Sequence, residues 1–165
     1  MTSGQKQAPT AVVTTPGDRE IHVERVFDAP RDRVFAAYTD PELIPQWWGL
    51  RESTTIVDRM DVRSGGAWRF VTRDADGQET AFRGTYREVA PPERIVQTFE
   101  WEGMPGHVSV ETATFEDLGD RTKVTTTSVF HTGEERDGML ASGMERGMNE
   151  TYARLDELLA GMASS

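Results

Sequence analysis

The sequence predicts an α+β domain in which seven antiparallel strands pack against one long C-terminal helix. Three observations predict it. Six short runs rich in β-branched and aromatic residues follow one another between residues 53 and 131, each separated by Gly-, Pro- or Asp-bearing turns. One further strand precedes them. The chain then closes on Glu134 to Leu159, where Leu140, Met144, Met148, Thr151, Leu155, Leu158 and Met162 recur at steps of three or four, giving an apolar helix stripe that must face a sheet.

Residues 1–18 are polar, hold two prolines and lack periodicity, so they read as a disordered tail before a single domain over 19–162. Ile21, Val23 and Phe27 then alternate among charged neighbours as the first strand, which stops at Asp28-Ala29-Pro30. Pro30 opens a short helix, placed at its first position, with Val34, Phe35 and Tyr38 on its apolar face. Thr39-Asp40-Pro41 opens a second through Leu43 and Ile44. Trp47 and Trp48 follow it, and two adjacent indoles cannot point the same way: one plugs the core and the other lines an opening or the surface.

The six later strands are expected at Ser53 to Met60, Ala67 to Arg73, Thr80 to Val89, Arg94 to Glu102, His107 to Glu116 and Thr122 to His131. Their short links join antiparallel neighbours as a meander. Alternation places Phe82, Gly84 and Tyr86 on one side of their strand, and Phe99, Trp101, Trp68 and Phe70 inward by the same parity, so the inner face is aromatic. In the last two strands Val108 and Val110 oppose Ala113 and Phe115, while Val124 and Phe130 oppose Val129 and His131, and the facing stays open.

With 165 residues the chain suits one domain, burying roughly 70% of its unfolded surface. No apolar stretch is long enough for a membrane span or signal peptide, so the expected location is cytoplasmic, without a membrane partner. Zero cysteines exclude thiolate metal sites and nucleophiles, and His22, His107 and His131 lack metal-ligand spacing. Neither metal nor cofactor is expected. A net charge of −10 argues against nucleic acid, which needs a basic face.

Within the terminal helix, Gly138, Gly143 and Gly147 each cost about 1 kcal/mol relative to alanine. Two readings stay open. Gly143 and Gly147 beside Met144 and Met148 keep the helix thin over a cavity, or the helix starts late and the methionines are ordinary gap-fillers.

Several motifs occur in order: Phe27-Asp28-Ala29-Pro30, Asp40-Pro41 leading to Trp47-Trp48-Gly49, Gly65-Gly66-Ala67-Trp68-Arg69-Phe70, Phe82-Arg83-Gly84-Thr85-Tyr86, Pro91-Pro92-Glu93-Arg94-Ile95-Val96 and Gly147-Met148-Asn149-Glu150-Thr151. Together they resemble the bacterial family related to the C-terminal domain of the activator of the heat-shock protein 90 ATPase, within the START-like (SRPBCC, Bet v 1-like) superfamily. The resemblance covers residues 19–160. It implies a helix-grip fold, a strongly curved sheet holding the long helix, with two short helices after strand 1 and an apolar cavity between sheet and helix.

Through that resemblance Trp47, Trp48, Trp68, Phe70, Phe82, Tyr86, Phe99, Trp101, Met144, Met148 and Tyr152 become the expected ligand-binding residues. The family commonly has glycine-tryptophan where this chain has Gly147-Met148, which should enlarge or reshape the pocket. The expected partner is a hydrophobic or aromatic small molecule, bound by a carrier, sensor or sequestering protein. An enzyme or natural-product resistance protein using the same cavity is the alternative, and catalysis is the weaker expectation. Its acid-base inventory is His22, His107, His131, Asp58, Asp61, Glu111, Arg69 and Tyr86, with Tyr86, His131 and Glu111 foremost, although a strand glutamate ordinarily faces solvent.

Arg69, Arg83 and Arg87 read as solvated outer-face charges, with a rim anchor as the alternative. A module acting on a heat-shock ATPase ranks last, because 18 residues leave no room for a separate N-terminal domain. An edge strand or the outward member of the Trp47-Trp48 pair would support a homodimer.

Overall fold

The computed structural model describes residues 11–163. Among these residues eight strands form one antiparallel sheet: β1 Val12–Thr14, β2 Glu20–Phe27, β3 Thr54–Met60, β4 Ala67–Arg73, β5 Glu79–Ala90, β6 Arg94–Trp101, β7 Val108–Asp117 and β8 Thr122–Val129. Helix α1 spans Arg31–Thr39, a 3₁₀ turn spans Ile44–Gln46, and helices α2 Gly133–Ala141 and α3 Met144–Ala163 close the chain.

The extra strand is β1, which pairs with the outer edge of β2 from within the stretch expected to be a disordered tail; residues 1–10 of that stretch lie outside the described residues. Strand order is β1-β2-β8-β7-β6-β5-β4-β3, so only β3 to β8 form a meander. α1 and the 3₁₀ turn carry the chain from β2 to the opposite edge at β3. Pro30 serves as the N-cap of α1 in extended conformation, ψ 154°, one position earlier than expected. The helix then buries Val34, Phe35 and Ala37, with Phe35 edge-on to Phe115 at 5.2 Å.

Two register shifts, around Asp58 in β3 and Arg87 in β5, add local bend and twist to the sheet. Gly84 permits a close approach between strands: a Cβ there would stand 2.0 Å from the Thr98 carbonyl oxygen and 2.7 Å from the indole nitrogen of buried Trp68. Neither the β6 backbone nor that ring can retreat. Gly84→Ala is therefore expected to cost about 2 kcal/mol, read as a lower urea midpoint with unchanged slope.

The terminal helix is two helices. Gly143 lies at φ +84°, a left-handed conformation that glycine adopts at little cost, and Ser142 Oγ donates to the Met139 carbonyl at 2.6 Å just before it. Gly143 thus ends a helix rather than thinning one. α2 starts on a capping box in which Thr132 Oγ1 accepts the Glu135 N–H at 3.1 Å, yet it buries none of its residues. α3 buries Tyr152, Leu155 and Leu159 against the sheet. Among the described residues no helix is long and apolar enough to cross a membrane.

Inward alternation along β2 brings Ile21, Val23, Arg25 and Phe27 to the core face. Arg25 forks onto Asp156 of α3 at 2.8 and 2.6 Å, and its guanidinium carbon stands 4.5 Å from the Phe27 ring centroid. This pair ties α3 to the sheet.

Candidate functional site

Between the curved sheet and α3 lies a half-open cavity of about 700 Å³. Its wall has two chemically distinct halves. Strands β4 to β6 contribute Phe70, Phe82, Tyr86 and Phe99, with Phe82 and Phe99 stacked at 5.4 Å. Trp48 closes this half, standing edge-on to Phe70 at 5.1 Å and to Phe82 at 5.3 Å.

A clamp from α3 holds the loop that carries Trp48. Arg154 Nη1 donates to the Gly49 carbonyl at 3.1 Å and Nη2 to the Gln46 carbonyl at 3.1 Å, while Thr151 Oγ1 donates to Gly49 at 3.2 Å. Arg51 forks onto Glu157 at 3.0 and 2.7 Å, and Thr55 Oγ1 donates to the Trp48 carbonyl. Trp47 turns the other way, 3% exposed, its indole N–H donating to Ala37 at 2.9 Å, although its ring still reaches the cavity edge. The division of labour expected of the two indoles matches this geometry.

The second half is polar. β7 runs without a bulge, so Ser109, Glu111, Ala113 and Phe115 face inward, and β8 presents Thr122, Val124, Thr126, Ser128 and then Phe130 on the same side. The open facing of these strands resolves in favour of Ala113, Phe115, Val124 and Phe130; Val108 and Val110 point out. Cross-strand register sets Ser128 opposite Glu111, Glu111 opposite Gln97, and Gln97 opposite Tyr86. One polar row therefore crosses four strands on the cavity floor. Tyr38 of α1 and Tyr152 of α3 line the cavity as well.

Glu111 is the carboxyl in this row. What surface it retains faces the cavity, and burial pushes its carboxyl up to about 7, opposed weakly by Ser128 Oγ, which donates to Oε2 at 3.4 Å. Burial raises Tyr38 and Tyr152 as well, with the Glu111 charge adding to both. The Tyr86 hydroxyl, on a side chain with little exposure, is pushed up by burial. Among the described residues no Lys, Arg or His lines the cavity, and no three or more His, Cys, Asp or Glu side chains are grouped to hold a metal ion.

Of the expected ligand-binding residues, Trp47, Trp48, Phe70, Phe82, Tyr86, Phe99, Met144, Met148 and Tyr152 line the cavity together. Trp68 and Trp101 do not. Trp68 is wedged below Phe70, 4.8 Å between centroids, over the bare backbone of Gly84. Trp101 ends β6 opposite Phe82, where its ring folds onto Gly103 beyond the end of the cavity and stays 43% exposed.

His131 is exposed beyond the end of β8 and absent from the cavity, whereas Glu111 faces in, contrary to the usual strand glutamate. Gly147 lines the cavity, and a Cβ there would meet Leu50 at an ordinary 3.7 Å. Arg69 pairs with Glu102 at 2.7 Å and Arg83 with Glu100 at 3.1 Å on the outer face, so neither is a rim anchor; Arg87 is exposed there too. The residues sequence reasoning passed over are Tyr38, Gln97, Ser109, Thr126 and Ser128. Counting back by twos from Phe115 and forward from Val124 would have found the three on β7 and β8.

Comparison with known proteins agrees with this architecture. The family described as Activator of Hsp90 ATPase homolog 1-like protein matches residues 28–160. A crystal structure from Rhodobacter sphaeroides is 24% identical, covers 92% of this chain and 99% of its own, and superposes with a TM-score of 0.87. A solution structure from Staphylococcus epidermidis is 28% identical over 92% and 94% of the two chains, TM-score 0.79. The AHSA1 protein of Silicibacter pomeroyi is 23% identical over 86% and 97%, TM-score 0.71. No functionally curated protein matches the sequence.

Proposed function

The chain belongs to the Activator of Hsp90 ATPase homolog 1-like family, with its START-like helix-grip fold, and on that premise we propose that it binds a hydrophobic or aromatic small molecule between the sheet and α3. The observation that carries this reading is the cavity itself, about 700 Å³ and walled on one side by Trp48, Phe70, Phe82 and Phe99. A guest burying about 300 Å² of apolar surface gains roughly 7 kcal/mol before the cost of immobilising it. That surplus suffices for a carrier, sensor or sequestering protein without covalent chemistry. Met139, Met144 and Met148 at the rim are pliable enough to fit guests of several shapes.

The test is a thermal-shift screen of neutral and charged aromatic compounds. At a hundredfold excess over Kd a true guest is expected to raise Tm by about 5 °C or more. Met148→Trp, which fills the space, should abolish the shift while leaving the unliganded protein folded. A screen in which no compound stabilises the protein rejects the reading.

A catalytic use of the same cavity is the second reading, favoured by the placement of Glu111: it faces the cavity with one long hydrogen bond from Ser128, and burial displaces its carboxyl to about 7, where it can hold or release a proton at neutral pH. For a guest that is turned over, loss of turnover with binding retained in Glu111→Gln supports it. Unchanged turnover eliminates it.

A further inference from the structure

We propose that the cavity selects for a cationic guest: a protonated amine seated on the polar row at Glu111, its aromatic body lying against Trp48, Phe82 and Phe99, with anionic guests excluded. The inference rests on the binding reading above and names the class of ligand. It begins from an imbalance of charge. Glu111 faces a cavity in which, among the described residues, no cationic side chain lies, and the other acid on the wall is Asp74 on the exposed turn after β4.

Ordinarily an enclosed carboxylate is matched by a cation from the protein. The nearest candidate, Arg25, is already committed to Asp156 and does not line the cavity. Ser128 gives Glu111 one long hydrogen bond at 3.4 Å, and no other polar contact to the carboxyl is found among the described residues. The charged form of this acid is thus left without a cation from the protein, a place that a guest cation can fill.

The register then supplies a complete seat. Ser128, Glu111, Gln97 and Tyr86 occupy one row across β8, β7, β6 and β5, neighbours about 5 Å apart, all able to present oxygen acceptors inward. An ammonium carries three donors and no acceptor, so it can be satisfied by such a row. A carboxylate guest would meet Glu111 with like charge and find no cation. The aromatic half of the wall adds ring faces, which favour a nearby cation. Tyr38, Tyr86 and Tyr152, the other titratable groups facing this space from α1, β5 and α3, are pushed up by burial and stay neutral, so Glu111 governs the charge.

The discriminating experiment is isothermal titration of the full chain with three matched probes, naphthylethylamine, naphthylethanol and naphthylacetate, at and below neutral pH. The amine is expected to bind about tenfold more tightly than the alcohol, the acetate more weakly than either, and Glu111→Gln to erase the preference for amine over alcohol. Amine affinity should fall as pH drops below 7, where the empty site takes up a proton, while alcohol affinity stays level. Equal binding of amine and alcohol to the unaltered protein, or an amine preference that survives Glu111→Gln, overturns the charge selectivity and leaves the binding reading standing. Failure of all three probes to bind overturns the proposed seat for an aromatic amine, whereas the binding reading itself falls only with the wider thermal-shift screen.

Discussion

Replacing Asp156 with alanine is expected to lower stability by about 3 kcal/mol, whereas replacing its partner Arg25 with methionine should cost about 1 kcal/mol or less. The asymmetry follows from where each charge lies. The Arg25 side chain is 4% exposed and that of Asp156 36% exposed, so the pair is a buried cation held by a carboxylate that still sees water. Without Asp156 the guanidinium keeps only its Nη1 bond to the Val26 carbonyl at 3.2 Å and the rings of Phe27 and Tyr152, while its Nε already lacks a partner.

Without Arg25, by contrast, Asp156 turns to solvent and a methionine fills the space. Urea unfolding of both single variants and the double variant measures this. A loss in Arg25→Met as large as that in Asp156→Ala would show that the pair acts through mutual attraction rather than through the cost of stranding a buried charge. Because Tyr152, one turn before Asp156, is a cavity wall, Asp156→Ala should also weaken guest binding.

Why some of this was legible in the sequence and some was not comes down to which residues announce their facing. The six strands from Thr54 to Val129 fall within two residues of their expected bounds because Gly-Gly, Asp-Gly and Pro-Pro turns separate runs with clear apolar members such as Trp68, Phe82 and Phe99. β1 escaped notice because three residues cannot show a period, and its pairing to β2 is a tertiary event. The helix break escaped because Leu140 and Met144 stand four apart across Gly143, so the apolar spacing runs through a backbone reversal that only the φ of Gly143 discloses. The polar row escaped for a different reason: hydrophobic patterning assigns inward positions to apolar residues, and on β7 and β8 Ser109, Glu111, Thr126 and Ser128 stand inward beside a cavity instead. A local failure of patterning thus coincides with the candidate site.

Glu111 also makes stability depend on pH in the direction opposite to an ordinary paired carboxylate. Its carboxyl is displaced from 4.5 to about 7 in the folded protein, so between those values the native state holds a proton that the unfolded chain has lost. Stability therefore falls as pH rises through this window, by up to roughly 3 kcal/mol once the group is fully charged. Glu24, Glu100, Glu102 and Glu157 are held below their ordinary value by hydrogen bonds and basic neighbours, and they pull the other way in more acid solution.

Comparing the protein with Glu111→Gln cancels those contributions. The two should be equally stable below pH 4.5, and the variant should gain steadily until about pH 7, where its advantage reaches that same roughly 3 kcal/mol. A difference that stays flat across the window would mean that water solvates the carboxyl and that the cavity floor is wet. Adding naphthylethylamine above pH 7 should narrow the gap, since a seated ammonium gives the carboxylate the counter-charge that the empty cavity denies it.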